Sequence, residues 1–363
     1  MQILHLSSTK SWRGGEQQIA YLMLELRKKG ITQWLLCVEG SQMEAFCKKE
    51  GFEHFSYRKV FSWNPLVALK IRRLCKHLGA THIHAHDAHA HTFALLSAVL
   101  FGNKTPVIVS RRVDFPVGDS FVSRWKYNHP AVRKIVCVSH FIRKIMLPAI
   151  DVPSKLVVVH SGVTTFTKVS NFRKRGLRQE FQVPENEFLI ANIAAIAPHK
   201  DYFTFVRTAE ILVREGFPAK FLIIGGDGGE EENIRLFIRE KGLENHIILT
   251  GFRNDIADIF PEIDMLLFTS KSEGLGTTIL DAFLNQVPVV ATAAGGIPEM
   301  IEHEKTGILA SVGDAGMLAV FVKRMLEDSD LQKRLVRNAL EKAGEFSTEK
   351  MAEGMIAVYQ SRI

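Results

Sequence analysis

The chain has 363 residues, 46% of them apolar, and a formal net charge of +7. That is enough material for two globular domains, and no window approaches the ~18 apolar residues of a membrane span. The charge is uneven: residues 1–168 carry 24 Lys+Arg against 10 Asp+Glu, and residues 169–363 carry 22 against 29. A basic first half suits an anionic acceptor or an anionic membrane surface, or is simply solvated helix faces. Nucleic acid is not expected, because the basic residues lack the aromatic stacking groups of a recognisable module. Cys37, Cys47, Cys75 and Cys137 form neither a metal-type spacing nor a disulfide framework, which fits a reduced compartment. Met1–Ser7 has no basic region before its short apolar run and reads as a first strand rather than a signal peptide. The expected location is therefore cytoplasmic, peripheral at the inner membrane face if the basic half meets lipid.

Taken in order, Ile3–Leu6, Trp34–Val38, His82–His86, Val107–Ser110, Ile135–Val138 and Leu156–His160 read as strands of a first parallel sheet. Helical stretches such as Gln17–Lys29 and Pro65–Leu78 separate them. The polar, basic stretch Thr164–Arg178 reads as a linker. A second series follows at Leu189–Ala195, Lys220–Ile224, Ile247–Leu249, Met265–Phe268 and Val289–Ala291, and Phe346–Tyr359 reads as a final helix. The alternation predicts an α/β protein of two doubly wound, Rossmann-like domains. Ligands in such sheets sit at the C-terminal strand ends, so a cleft between the domains is the natural site.

The richest local signal is Ser270-Lys271-Ser272-Glu273-Gly274-Leu275-Gly276-Thr277-Thr278-Ile279-Leu280-Asp281, with Gly295-Gly296-Ile297-Pro298-Glu299 downstream. Gly274 and Gly276 let backbone approach a ligand. Thr277 and Thr278 open a helix whose free N–H groups and dipole suit phosphate. Glu273 lies just before that end and Asp281 about one turn inside it. A diphosphate flanked by hydroxylated rings fits this arrangement, and sugar nucleotides have that shape. Gly14-Gly15-Glu16 follows the first strand and reads as a tight turn with free amides. His82, His84 and His86 project to one side of a strand, a spacing that also admits zinc.

This pattern resembles the donor-binding signature of the retaining glycosyltransferases of family 4, with the GT-B fold. The resemblance implies that Glu273 contacts donor-sugar hydroxyls and that Asp281, where Glu is usual, holds the ribose. It implies a phosphate or sugar role for Gly14, Gly15 and Glu16, and a sugar-contacting role for His86. Lys200 matches the lysine paired to the donor diphosphate, whereas Ala195 stands where an arginine is expected. Gly225–Gly229, including Gly226, matches the loop beside the nucleotide, and Arg253 the region near the base, reached mostly through backbone. Arg111 and Arg112 follow a first-sheet strand; they are candidate contacts for an anionic acceptor or phosphate, or members of a surface Arg–Asp network. Ser139 is expected to cap a helix, and the C-terminal helix to cross back onto the first domain.

The resulting expectation is residues 1–165 with helix 347–363 as the acceptor-side domain and residues 166–346 as the donor domain. The enzyme would be a retaining, metal-independent transferase moving a sugar from a nucleotide diphosphate sugar, UDP or GDP, to a hydroxyl. The acceptor would be a sugar or a lipid-linked molecule, in cell-surface polysaccharide or lipopolysaccharide synthesis. No cofactor and no metal are expected. The alternatives are a sugar-nucleotide epimerase on the same fold and a non-catalytic, membrane-associated binding protein.

Overall fold

The computed structural model describes residues 1–58, 63–118, 120–164 and 176–361. Most of the expected linker, Thr164–Arg178, lies outside the described residues. Two compact units result: Met1–Gly162 with the segment from Ser347, and Val163–Phe346.

The first unit holds β1 Gln2–Leu6, β2 Thr32–Val38, β3 His54–Tyr57, β4 His82–Ala85, β5 Val107–Arg111, β6 Val132–Cys137 and β7 Leu156–Val158. They form one sheet in the order β3-β2-β1-β4-β5-β6-β7, with every neighbouring pair parallel. The second unit holds β8 Phe188–Ile193, β9 Ala219–Ile224, β10 Ile247–Gly251, β11 Met265–Phe268, β12 Val289–Thr292 and β13 Ile308–Ala310. Their order is β10-β9-β8-β11-β12-β13, again all parallel. Each sheet reverses its winding beside its first strand, between β1 and β4 and between β8 and β11. Such a reversal opens a crevice at the carboxyl ends of the two strands.

Both sheets carry helices on both faces, so their inner strands are apolar runs buried throughout, as in Met265–Phe268. Two edge strands escaped the sequence reading. β3 is His-Phe-Ser-Tyr, half polar, with only Tyr57 buried. β13 spans three residues, too few for a periodic signal. Several expected strands run one or two residues too long at their C-terminal ends. His86, for instance, lies past β4, although its N–H still donates to Leu6 O at 3.1 Å. Those residues leave the ladder to form the loops that carry the polar groups.

Local capping explains the helix limits. Asn64 accepts the Leu66 N–H at 3.0 Å, Pro65 opens the helix Pro65–Leu78, and Gly79 closes it at φ +62°. Ser139 accepts the Ile142 N–H at 3.1 Å and caps His140–Met146. The expected tight turn at Gly14-Gly15 is corrected: the extended Arg13 precedes a helix, Gly14–Lys28, so both glycines lie in its first turn. The helix Thr348–Gln360 packs its Met351, Ala352, Met355 and Tyr359 against Ile3, Leu22, Leu26 and Ile108 of the first unit. Gly162 sits under its start, where a Cβ would lie 2.7 Å from Thr348 Cα.

Candidate active site

In the second unit the polar groups gather where β8 and β11 end. Beyond Phe268 the chain stays buried through Thr269 and Ser270, turns, and presents Glu273, itself 7% exposed. One Glu273 oxygen, Oε1, accepts both the Ser270 hydroxyl at 2.7 Å and the Lys200 ammonium. Ser270 is fixed in turn, because its carbonyl accepts the Thr292 hydroxyl at 2.6 Å. The Glu273 carbonyl accepts the Gly296 N–H at 2.9 Å. Gly295, at φ +56°, passes so close that a Cβ would stand 2.2 Å from Glu273 O, so only glycine fits there. The acid is thus held by its side chain and its backbone.

Lys200 ends the turn Pro198–Lys200, its ammonium 5.3 Å from the Phe268 ring centre. Its carbonyl accepts the Thr269 hydroxyl at 3.3 Å, which ties that turn to the end of β11. Ala195 is exposed and brings no charge. The glycine loop packs directly on this segment: a Cβ on Gly225 would lie 2.0 Å from Ala194 O.

Gly276 adopts φ +91° and opens the helix Thr277–Leu284. The first-turn N–H groups of Thr277 and Thr278 have no carbonyl a turn earlier to bond, which leaves an anion-attracting end. Gly274 and Leu275 form the turn before it, with the Leu275 side chain buried. Asp281 lies a turn inside. Its carboxylate accepts no hydrogen bond among the described residues, and burial pushes its pKa up to about 7.

Farther along the same sheet edge stand Gly226 and Phe252. The phenyl ring is 78% exposed, and a Cβ on Gly226 would touch Phe252 Cβ at 3.5 Å. Arg253 is fully engaged: Asp255 takes its Nε and one amino group at 2.9 and 2.7 Å, and Glu180 the other at 2.6 Å. Asp264 accepts the Leu189 N–H and an Arg178 N–H, both at 2.7 Å.

In the first unit the equivalent crevice lies where β1 and β4 end. Glu16 is buried and accepts the Arg13 N–H at 3.1 Å. A Cβ on Gly14 or Gly15 would meet nothing within 4 Å. His86 is buried beside His5 and His84. Its Nε2 lies 2.9 Å from His5 Nδ1, and Arg112 donates to its Nδ1 at 3.3 Å and to its carbonyl at 2.9 Å. Because Arg112 can only donate, Nδ1 must accept, so the His86 proton sits on Nε2 and points to His5. Burial first, then neighbouring positive charge, holds His84 and His86 well below the usual histidine pKa, and burial lowers His5 to about 4. All three are neutral imidazoles: His5 and His86 are hydrogen-bonded to each other, whereas His84 lies within hydrogen-bond distance of Tyr359 Oη at 2.7 Å and Ser110 Oγ at 2.8 Å. The 2.9 Å separation is hydrogen-bond geometry, and the Arg112 guanidinium beside it opposes a cation.

Arg112 hydrogen-bonds only to His86 among the described residues, its Nε has no partner, and burial lowers its pKa to about 10. Arg111 differs: it donates to Tyr127 Oη at 3.3 Å and to Phe115 O, and lies 4.8 Å over the Phe115 ring.

The structure therefore brings Lys200 and Glu273 into contact in one unit, and His86 and Arg112 in the other. The sequence reading gave no role to Ser270 and Thr292, which fix Glu273, or to His5, whose Nδ1 accepts the His86 Nε2–H. Each had a faint signal: a small hydroxyl three residues before the acid, a threonine ending an apolar strand, and a histidine inside one.

Residues 174–342 match the family described as "Glycosyl transferases group 1", and residues 12–165 match "Glycosyltransferase Family 4". An N-acetyl-alpha-D-glucosaminyl L-malate synthase from Bacillus anthracis is 29% identical over 50% of this chain and 48% of its own length. The chain spans about half the length of the first curated relatives it matches. A glycosyltransferase from Rickettsia africae superposes with a TM-score of 0.86 at 22% identity, over 99% of this chain and 97% of its own. The Anabaena protein Alr3699/HepE, solved with UDP and glucose, gives 0.84 at 20% identity over 100% of both chains.

Proposed function

Because the chain belongs to the family 4, group 1 glycosyltransferases and has their GT-B fold, we propose that it is a retaining transferase. It moves a sugar from a nucleotide diphosphate sugar to a hydroxyl. The observation that carries this reading is the buried Glu273, joined to Lys200 and set before the open end of the helix Thr277–Leu284, where β8 and β11 diverge. As the glycosidic bond breaks, negative charge grows on the diphosphate and positive charge on the sugar ring. Lys200 and the Thr277 and Thr278 amides answer the first; Glu273 orients the sugar through its hydroxyls. Fixed cations and amides of this kind do the work a metal ion does elsewhere.

In the free protein Lys200 is paired with Glu273. Donor binding exchanges that partner for phosphate and frees a carboxylate oxygen for a sugar hydroxyl. Asp281 faces the ribose. Phe252 offers a flat apolar surface to the base, a contact tolerant of base identity. UDP is the first nucleotide to test, since the Anabaena structure contains it. The acceptor is a sugar or lipid-linked hydroxyl, as in polysaccharide or lipopolysaccharide synthesis.

The deciding experiment follows transfer from UDP- and GDP-sugars to a panel of acceptors by proton NMR, with and without EDTA. The expected product keeps the donor's anomeric configuration and forms at the same rate with chelator. An inverted product, or activity abolished by EDTA, overturns the reading. The exposed Ala195 favours a second reading, a site that binds donor without turning it over. Nucleotide binding without hydrolysis or transfer for any donor would select it.

A further inference from the structure

Given the transferase reading, on which this rests, we propose that the acceptor carries an oxyanion, a carboxylate or a phosphate, and that Arg112 receives it in a small cavity of the first unit. Arg112 is half-buried just past β5. Its two amino groups donate to the His86 carbonyl at 2.9 Å and to His86 Nδ1 at 3.3 Å, which fixes the plane of the fork. That uses two of the five guanidinium N–H groups. His86 has no N–H left to give, because its Nε2–H points to His5. The free donors here belong to the arginine. The acids whose charge reaches it, Glu16 and Asp87, are committed to backbone. Glu16 accepts the Arg13 N–H at 3.1 Å, and Asp87 accepts the Ser8, His89 and Ala90 N–H groups at 2.7, 3.0 and 2.9 Å.

The cavity beside it sets the size of the guest. Arg112 lines a space of about 20 Å³ together with Gln18, His84, Ser110, His160 and Ser161, and the rest of its wall is apolar. No carboxylate lines it. Such a volume holds about one water, so it takes the oxygens of one small anionic group and leaves the body that bears them outside. A desolvated guanidinium with free N–H groups and no bonded acid is stabilised by an outside oxyanion, through charge-assisted hydrogen bonds that a neutral hydroxyl cannot match. On the transferase reading the donor's phosphates go to Lys200 and the helix Thr277–Leu284 of the second unit. An anion held in the first unit therefore belongs to the acceptor.

The test has two arms on the full chain. The first is calorimetric titration with acetate and with inorganic phosphate, and the ion that binds tells carboxylate from phosphate. The wild type and Lys200→Ala are expected to bind, and Arg112→Gln to bind about 10- to 100-fold more weakly with an unchanged unfolding midpoint. Arg112→Lys, which keeps the charge but not the fork, should recover part of the affinity. No binding by the wild type, or binding that Arg112→Gln leaves unchanged, overturns the site. The second arm measures kcat/KM for acceptors that differ only in charge, glucose against glucuronate and glucose 6-phosphate. The charged member should be favoured by at least ~10-fold, and Arg112→Gln should erase that preference. Equal rates on charged and neutral members sink this proposal alone. Ion binding at Arg112 with no transfer to any acceptor sinks the transferase reading, and the acceptor assignment with it.

Discussion

The two units share a winding pattern but treat charge in opposite ways. Where β8 and β11 part, an acid and an ammonium are held in contact, each poised to change partner. Where β1 and β4 part, three imidazoles are neutral by burial and the cation, Arg112, has no carboxylate partner among the described residues. Under the proposed function, the paired site would take a ligand that carries both a sugar and a phosphate, and the guanidinium among neutral groups would take an anion. The same fold thus holds a paired charge in one crevice and, among the described residues, a charge without a carboxylate partner in the other.

The largest expected effect breaks the pair. Lys200→Ala should lower turnover by ~10²–10³, as when one transition-state donor is removed. Glu273→Ala should be as damaging to transfer while leaving free-nucleotide binding largely intact. Steady-state kinetics beside nucleotide titration would separate the two, and near-wild-type turnover for Lys200→Ala would refute its assignment to the leaving group. Next comes the support: Ser270→Ala removes a hydrogen bond to a charged group, worth ~1.5–3 kcal/mol, and should reduce turnover by about 10- to 100-fold. Phe252→Ala should weaken nucleotide binding by ~1–3 kcal/mol with little change in turnover at saturation. Calorimetry that finds equal affinity would remove the ring from the base site.

The smallest effect is the most diagnostic of environment. Asp281 has a folded-state pKa near 7, raised by burial above the usual 3.8. A raised carboxyl makes the folded state bind more protons than the unfolded state between those values. Stability from this group is therefore present at low pH and falls as pH rises through 7. Asp281→Asn should raise the unfolding midpoint at pH 8 and do less at pH 5. Nucleotide affinity in the wild type should rise with pH up to about 7 and then level, since only the carboxylate accepts two ribose hydroxyls. A flat affinity profile would detach Asp281 from the ligand.

Much of this was legible in the sequence because it rests on local rules. Parallel strands buried on both faces are apolar runs, and caps such as Asn64-Pro65 and Gly79 mark helix ends in one dimension. The Glu273 loop showed itself because Gly276 and Gly295 answer backbone demands that no other residue meets. Edge strands β3 and β13 did not, since half-buried or three-residue strands carry no period. Nor did the long-range partners. That His5 would meet His86, or Thr292 would fix Ser270, depends on which strands become neighbours, and strand order is not written in any short window. Arg111 and Arg112 make the point sharply: adjacent in sequence and alike in chemistry, they differ because alternate residues leaving a strand point to opposite sides.

The helix Thr348–Gln360 has a consequence for synthesis. The second unit is one continuous stretch, so it can close as soon as Phe346 has left the ribosome. The first unit cannot, because part of the core around Ile3, Leu22 and Ile108 is supplied by Met351–Tyr359, made only after the whole second unit. The unit begun before the second therefore finishes folding after it, and Leu22 and Leu26 stay uncovered while nearly two hundred further residues emerge (163–346). The nascent chain should depend on chaperones in proportion to that delay, and a permuted gene that places residues 347–361 ahead of Met1 should shorten it.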